Sequence, residues 1–260
     1  MLRAFIGFLF AVSALEPAFA YDPNDLVGSV AGSLPLILTV PHDGSEPIEG
    51  VSLRRNGATV RDVGTRELAE RVAQIIEAKT GKRPYLVIAK FSRKYLDANR
   101  SEAEAMESAD ALPAYAAYHA RVAGFVHDVS TRFPGGGLLV DVHGQSDEPS
   151  TIFRGTRDGL TVKTLLARHG VAAVQGEQSI TGLLEAKGYH VMPSMASDSL
   201  HEDPRFAGGY TVFTYGSHRP AGIDAVQLEF GRAYRRKSNL AEDFADVLLT
   251  FMNTYILSSN

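Results

Sequence analysis

Two histidines in this chain stand where they could do chemistry. Leu36-Ile-Leu-Thr-Val-Pro-His42 and Gly137-Leu-Leu-Val-Asp-Val-His143 lie in distant parts of the sequence, and each is an apolar run ending in an imidazole. Such runs are expected of strands buried on both faces of a parallel sheet. A histidine at the carboxyl end of one opens onto the crevice where α/β sheets bind ligands. A single histidine there would be read as a loop cap, but the second changes the balance towards a metal site. A third residue fits the pair. In Val226-Gln-Leu-Glu-Phe230 a carboxylate interrupts an apolar run. Period-two alternation puts Gln227 and Glu229 on one face and Val226, Leu228 and Phe230 on the other. Zinc held by two imidazoles and one carboxylate keeps a position for water. It lowers that water's pKa towards ~7, and a further carboxylate beside it takes the proton and passes it to a leaving group. This gives Glu229 the role of base. The alternative is a half-exposed edge strand in which Glu229 faces solvent.

The elements that must position these residues follow from periodicity and punctuation. Strands are expected at Leu34 to His42, Tyr85 to Phe91, Thr151 to Arg154, Gly188 to Met192, Tyr210 to Tyr215 and Ala225 to Phe230, besides the run ending in His143. Helices are expected at Asp62 to Thr80, where Leu68, Val72, Ile75 and Ile76 recur at helical spacing, and at Leu112 to Phe133, Leu160 to His169, Gln178 to Lys187 and Leu240 to Leu257. Tyr21 to Ser33 has the look of an irregular lead, and Ser92 to Arg100 of a polar loop. Alternating strands and helices predict an α/β fold, a mostly parallel sheet covered on both faces.

Composition narrows the chemistry. The chain has 260 residues, no cysteine and a formal net charge of -4. Disulfides, thiolate catalysis and cysteine-ligated zinc are excluded, so any metal must be held by His, Asp and Glu. No basic stripe marks a nucleic-acid partner. Arg3, the apolar run Phe5 to Leu15 and the small-x-small Ala18-Phe-Ala20 form a signal-peptide pattern over residues 1–20. The mature chain, 21–260, is then expected to be one exported catalytic domain, periplasmic or secreted, without a membrane span.

Five short motifs, Pro41-His-Asp-Gly44, Arg93-x-x-x-Asp97-x-Asn99-Arg100, Asp141-x-His143, Gly208-Gly-Tyr-Thr211 and Gln227-Leu-Glu229, occur in this order over most of the mature chain. Together the set resembles the N-formylglutamate amidohydrolase family, which is similar in turn to the zinc carboxypeptidases and the succinylglutamate desuccinylase/aspartoacylase group. The resemblance implies a phosphorylase/hydrolase-like three-layer α/β sandwich with a mostly parallel mixed sheet and one zinc ion. It implies that His42 and His143 are metal ligands and that Glu229 is the general base. It also implies that Asn99 and Arg100 bind a substrate carboxylate, for which the guanidinium fork is suited. Arg93 is placed to polarise the scissile carbonyl. The alternative for Arg93 and Arg100 is surface pairing with the acidic run Glu102 to Glu107. Carboxypeptidase-like sites use His-x-x-Glu, whereas Ser45 stands at that spacing here and Glu46 comes one residue late. Asp62, opening the first helix, is the favoured third ligand over Glu46. Tyr210 is a candidate substrate contact, as is His201 in the Pro193 to Gly209 loop.

The resulting expectation is an exported zinc-dependent amidohydrolase that cleaves an N-acyl amino acid or a small acidic peptide-like substrate carrying a carboxylate. A carboxypeptidase or amidase acting on cell-wall peptides is the rival among enzymes. A non-catalytic periplasmic anion-binding protein is the rival outside them. The leader pattern predicts a mature N-terminus at Tyr21. N-terminal sequencing of the native protein checks it, and an intact Met1 in a soluble cytoplasmic fraction would refute it.

Overall fold

A computed structural model describes residues 21–197 and 199–258. The expected leader therefore lies outside the described residues. The sheet is built from β1 (Val27–Val30), β2 (Leu36–Val40), β3 (Tyr85–Ala89), β4 (Leu138–Gln145), β5 (Ile152–Gly155), β6 (Val191–Met192) and β7 (Asp224–Gly231). Its order is β1-β3-β2-β4-β7-β5-β6. The inner strands β3, β2, β4 and β7 are parallel, whereas β1 is antiparallel to β3 and β5 is antiparallel to β7. The sheet is thus mixed, with the parallel part at its centre.

Each central strand has two unlike faces. Leu36, Leu38 and Val40 of β2, Leu138, Val140 and Val142 of β4, and Val226, Leu228 and Phe230 of β7 share one apolar face. Helices α1 (Thr65–Thr80), α4 (Lys163–His169), α5 (Ala172–Gln175), α6 (Ile180–Ala186) and α8 (Leu240–Phe251) cover it. The opposite face starts apolar, with Ile37, Leu139 and Ala225 under α3 (Leu112–Arg132) and α7 (Tyr210–Tyr215), while the short α2 (Glu102–Ala105) also packs on that side. Towards the carboxyl ends the same face turns polar, as Thr39, Asp141, His143, Gln227 and Glu229, all of them buried. Helices on both faces make the expected three-layer arrangement.

Helix α1 carries the expected stripe of Leu68, Val72 and Ile76, and it ends at Gly81, whose φ of 68° is the left-handed turn that favours glycine. It starts later than Asp62. Its first turn lacks a local side-chain cap, and Asp43 supplies one from a distant loop by accepting from Gly64 N (3.0 Å) and Arg66 N (2.8 Å). The loop after β2 is thereby tied to the head of α1.

Three expectations are corrected. The lead before Ser33 contains β1, a short strand on the edge of the sheet with a single neighbour, so its Val-Gly-Ser-Val sequence shows little buried pattern. Tyr210 to Tyr215, expected as a strand, is α7. A short apolar run is ambiguous between the two states, and here Asn99 settles it by accepting Thr211 N (2.8 Å) through its side chain, a cap supplied from far away in the sequence. The edge-strand alternative for Glu229 also fails, because β7 lies between β4 and β5 and all eight of its residues are buried. Among the described residues no helix is long and apolar enough to cross a membrane.

Phe244 of α8 is fully buried and packs edge-on against Phe230 of β7 at 5.0 Å between ring centroids. Phe244→Ala should destabilise the fold by about 3–5 kcal/mol, through lost burial and the cavity left behind. Denaturant unfolding measures this, and a loss below about 1 kcal/mol would show that α8 does not hold the sheet.

Candidate active site

The chain leaves β2 to form β3 on one side, then returns past β2 to form β4 on the other. The carboxyl ends of β2 and β4 therefore flank a topological switch point. His42 follows β2 directly. His143 lies inside β4, which runs two residues further than its sequence pattern indicated because β7 pairs with it as far as Gln145 and Gly231. That pairing sets His143 directly beside Glu229. The turn at Pro41-His-Asp-Gly44 is tight, since a Cβ on Gly44 would lie 2.1 Å from the Phe91 carbonyl oxygen.

The two imidazole centroids are 4.7 Å apart and their planes are inclined at 71°. Nε2 of His42 donates to Asp97 Oδ1 at 2.7 Å, and Nε2 of His143 to Asp141 Oδ2 at 2.9 Å. An ionised carboxylate only accepts, so each Nε2 carries a proton, which leaves Nδ1 as the nitrogen that would offer its lone pair to a bound cation. Both Nδ1 atoms face Asp62 Oδ2, at 3.4 Å from His42 and 3.3 Å from His143. Ligand-capable atoms of His42, Asp62 and His143 lie within 4.8 Å of one another, and all three residues are buried. His42 Nδ1 is buried without a hydrogen-bond partner, an arrangement that disfavours the site unless a cation fills it. Two neutral imidazoles and a carboxylate, each imidazole backed by a second carboxylate, are a donor set suited to a divalent transition metal.

The electrostatics agree. Burial alone would raise the Asp62 carboxyl, but the His143 and His42 side chains outweigh it and hold it well below the usual carboxylate range. Asp97 is held down in the same way, against its burial, by His42 and Arg93. Burial would lower His143, yet Asp141 and Asp62 keep it well above its ordinary value. The carboxylate cage thus favours positive charge between its walls, which a bound cation would provide without protons. Glu229 differs. Burial pushes its carboxyl up, opposed by His143 and reinforced by Asp62. Its Oε1 lies 3.9 Å from His143 Nδ1, beside the His-Asp-His group. A carboxylate of raised proton affinity next to a metal-binding set can accept a proton from water.

A cavity of about 620 Å³ opens over these groups, lined by His42, Asp62, His143 and Glu229 and walled on one side by Pro204 to Gly209. Arg93 reaches it but is held by Asp97, with Nε 2.9 Å from Oδ2. Surface pairing with the Glu102 to Glu107 run is thus overturned for Arg93. Arg100 lines the cavity half-exposed, its nearest carboxylate contact being Asp97 Oδ2 at 4.0 Å. Asn99 also lines it, though its amide is engaged: Oδ1 accepts from Thr211 N, and Nδ2 lies 3.1 Å from His143 Nε2 and 3.4 Å from Gln227 Oε1. Two candidates are placed elsewhere. Tyr210 lies outside the cavity wall and packs on His119 at 5.5 Å between centroids. His201 is exposed beside Asp158, since only the later part of its loop turns towards the site. Glu46 is exposed and its backbone pairs with Phe91, so of the two rivals for third ligand only Asp62 joins the histidines.

Sequence reasoning places Asp97 and Asp141 in the motifs and Asp141 near His143, but makes neither the partner of a histidine, and it gives no role to Arg235. Asp141 was within reach, because i and i+2 on a strand share a face. Asp97 comes from an irregular loop and leaves no such signal. Arg235 ties the ends of β4 and β7 to the lead of α1 by donating to Gln145 O (3.1 Å), Phe230 O and Val63 O (2.9 Å).

No family model matches the chain, and no curated protein does. Solved structures share its fold. The crystal structure of N-formylglutamate amidohydrolase from Ralstonia eutropha is 18% identical with a TM-score of 0.57, covering 90% of this chain and 99% of that one. That of a gene product of Agrobacterium tumefaciens is 17% identical with a TM-score of 0.56, covering 90% and 95%. The α/β architecture expected from the sequence resemblance is therefore the one observed.

His42→Ala, His143→Ala and Asp62→Ala should each abolish stoichiometric zinc binding, whereas Glu46→Ala should leave it intact. Asp97→Asn should weaken zinc about 10–100-fold, the scale for removing a carboxylate behind a ligating histidine. Metal analysis and chelator competition measure both, and full zinc retention in His143→Ala would rule the site out.

Proposed function

We propose that this protein is a zinc-dependent amidohydrolase that cleaves the amide bond of an N-acyl amino acid or a small acidic peptide-like substrate. One observation carries the reading: the Nδ1 atoms of His42 and His143 and the Asp62 carboxylate converge on one point, with Glu229 beside them and outside the set. The fold shared with an N-formylglutamate amidohydrolase supports it.

His42, Asp62 and His143 would hold the ion, and a divalent ion there supplies Lewis acidity towards water and the scissile carbonyl. The nitrogen and carboxylate donors, without sulfur, fit zinc. Glu229 accepts the proton of the attacking water and returns it to the departing nitrogen. Asp97 and Asp141 hold the two Nε2 protons and so keep both Nδ1 lone pairs aimed inward. Arg93, fixed by Asp97, turns its guanidinium towards the carbonyl oxygen as negative charge develops there. Arg100, half-exposed on the cavity wall, takes the substrate carboxylate. A cavity of about 620 Å³ suits a substrate of this size.

A second reading, an amidase acting on cell-wall peptides, is favoured by the leader pattern Arg3, Phe5 to Leu15 and Ala18-Phe-Ala20, the pattern expected of an exported chain. A panel of N-formyl-L-glutamate, other N-acyl amino acids and muropeptides separates the two.

Glu229→Gln keeps the side chain's size but cannot take the proton. It should fold normally, keep near-normal zinc and lose at least ~10²-fold in turnover, the usual scale for removing a general base. Substrate binding should persist, because Arg100 is untouched. Parallel loss of zinc and activity would make Glu229 a ligand, and unchanged turnover would remove it from the chemistry.

A further inference from the structure

Gln227 lies two residues before Glu229 on the same face of β7, is buried, and lines the cavity. Its amide orientation is dictated by its neighbours. Gly209 N points at one end of the amide at 2.7 Å, and Asn99 Nδ2 approaches the same atom at 3.4 Å. A backbone N–H can only donate, so that atom must be the oxygen, Oε1. The NH2 end is then turned to Glu229, with Nε2 donating to Glu229 Oε1 at 3.0 Å. An NH2 group has no lone pair to offer, so Glu229 Oε1 must act as the acceptor in this pair. Among the described residues no hydrogen bond reaches Glu229 Oε2.

Building on the hydrolase reading above, we infer that Gln227 is the positioning residue of the base: by donating to Oε1 it fixes the orientation of the Glu229 carboxylate beside the His-Asp-His group. Gly209 ends the segment Pro204 to Gly209 that walls the cavity. The same amide therefore links the wall to the base, and the base is correctly presented only while the wall is in place. Gly209 itself has no room to vary, since a Cβ there would lie 2.2 Å from Asn99 Nδ2.

The test is a double-mutant cycle with Gln227→Met, which keeps length and volume and removes the side-chain hydrogen bonds to Gly209, Asn99 and Glu229. On the zinc-loaded protein, Gln227→Met should lower kcat about ten-fold, the scale for losing an outer partner of a site residue, with KM and zinc content little changed. In a Glu229→Gln background it should cost nothing further. Equal losses in both backgrounds, or a change confined to KM, would show that Gln227 only supports the wall and would overturn the proposal. A second measurement is independent of turnover. The Gln227 side-chain amide protons, assigned by their absence in Gln227→Met, should exchange slowly with solvent in the parent protein and faster in Glu229→Ala. Amide exchange that ignores Glu229→Ala would refute the pairing. If no substrate of the panel is turned over, the hydrolase reading fails and amide exchange alone decides whether Gln227 holds Glu229.

Discussion

The parallel pairing of β4 with β7 is the constraint on which the rest of this molecule depends. It puts His143 and Glu229 side by side in the middle of the sheet, nearly buried at the floor of the cavity. Charged groups in such a place are tolerated only when each is partnered. Partners are supplied in sequence: Thr39 Oγ1 donates to Asp141 (2.6 Å), Asp141 accepts from His143, Gly144 N donates to Asp62 (3.1 Å), and Arg93 holds Asp97. Among the described residues, His42 Nδ1 is fully buried without a hydrogen-bond partner, at the point where the ligand atoms converge.

The sheet achieves this by treating its two faces differently. The face under α1 and α8 stays apolar along the full length of β2, β4 and β7 and carries the cohesion of the fold. The face under α3 and α7 is apolar only at its amino end, and it gives its carboxyl end to the site. Rigidity in the first face lets the second hold carboxylates close together, which like-charge repulsion would otherwise spread apart. Asp43 adds a cross-tie, since by capping α1 it keeps the loop that carries His42 beside the segment that carries Asp62.

Much of this is legible in the sequence. Apolar runs ending in His42 and His143 exposed both strand ends, and period two put Gln227 and Glu229 on one face. What stayed hidden depended on contacts between distant segments. Nothing local marks Asp97 as the partner of His42, or Asn99 as the cap that makes Tyr210 to Tyr215 a helix. Glu229 looked compatible with an edge strand because alternation reports which residues share a face and is silent on how many neighbours a strand has. Tyr210 went astray for a related reason: a change from strand to helix redirects every side chain in the segment.

The strand order also bears on how the protein comes into being. β7 is the last strand in the chain, yet it sits inside the sheet between β4 and β5. An amino-terminal fragment containing β2, α1 and β4 already holds all three candidate ligands, but it lacks the neighbour that buries β4 on its open edge. Long-range pairings of this kind form late. The His42, Asp62 and His143 segments thus precede Glu229 in the chain, and the four groups stand together only once β7 pairs with β4. On this topology the candidate site is completed by the insertion of a single central strand.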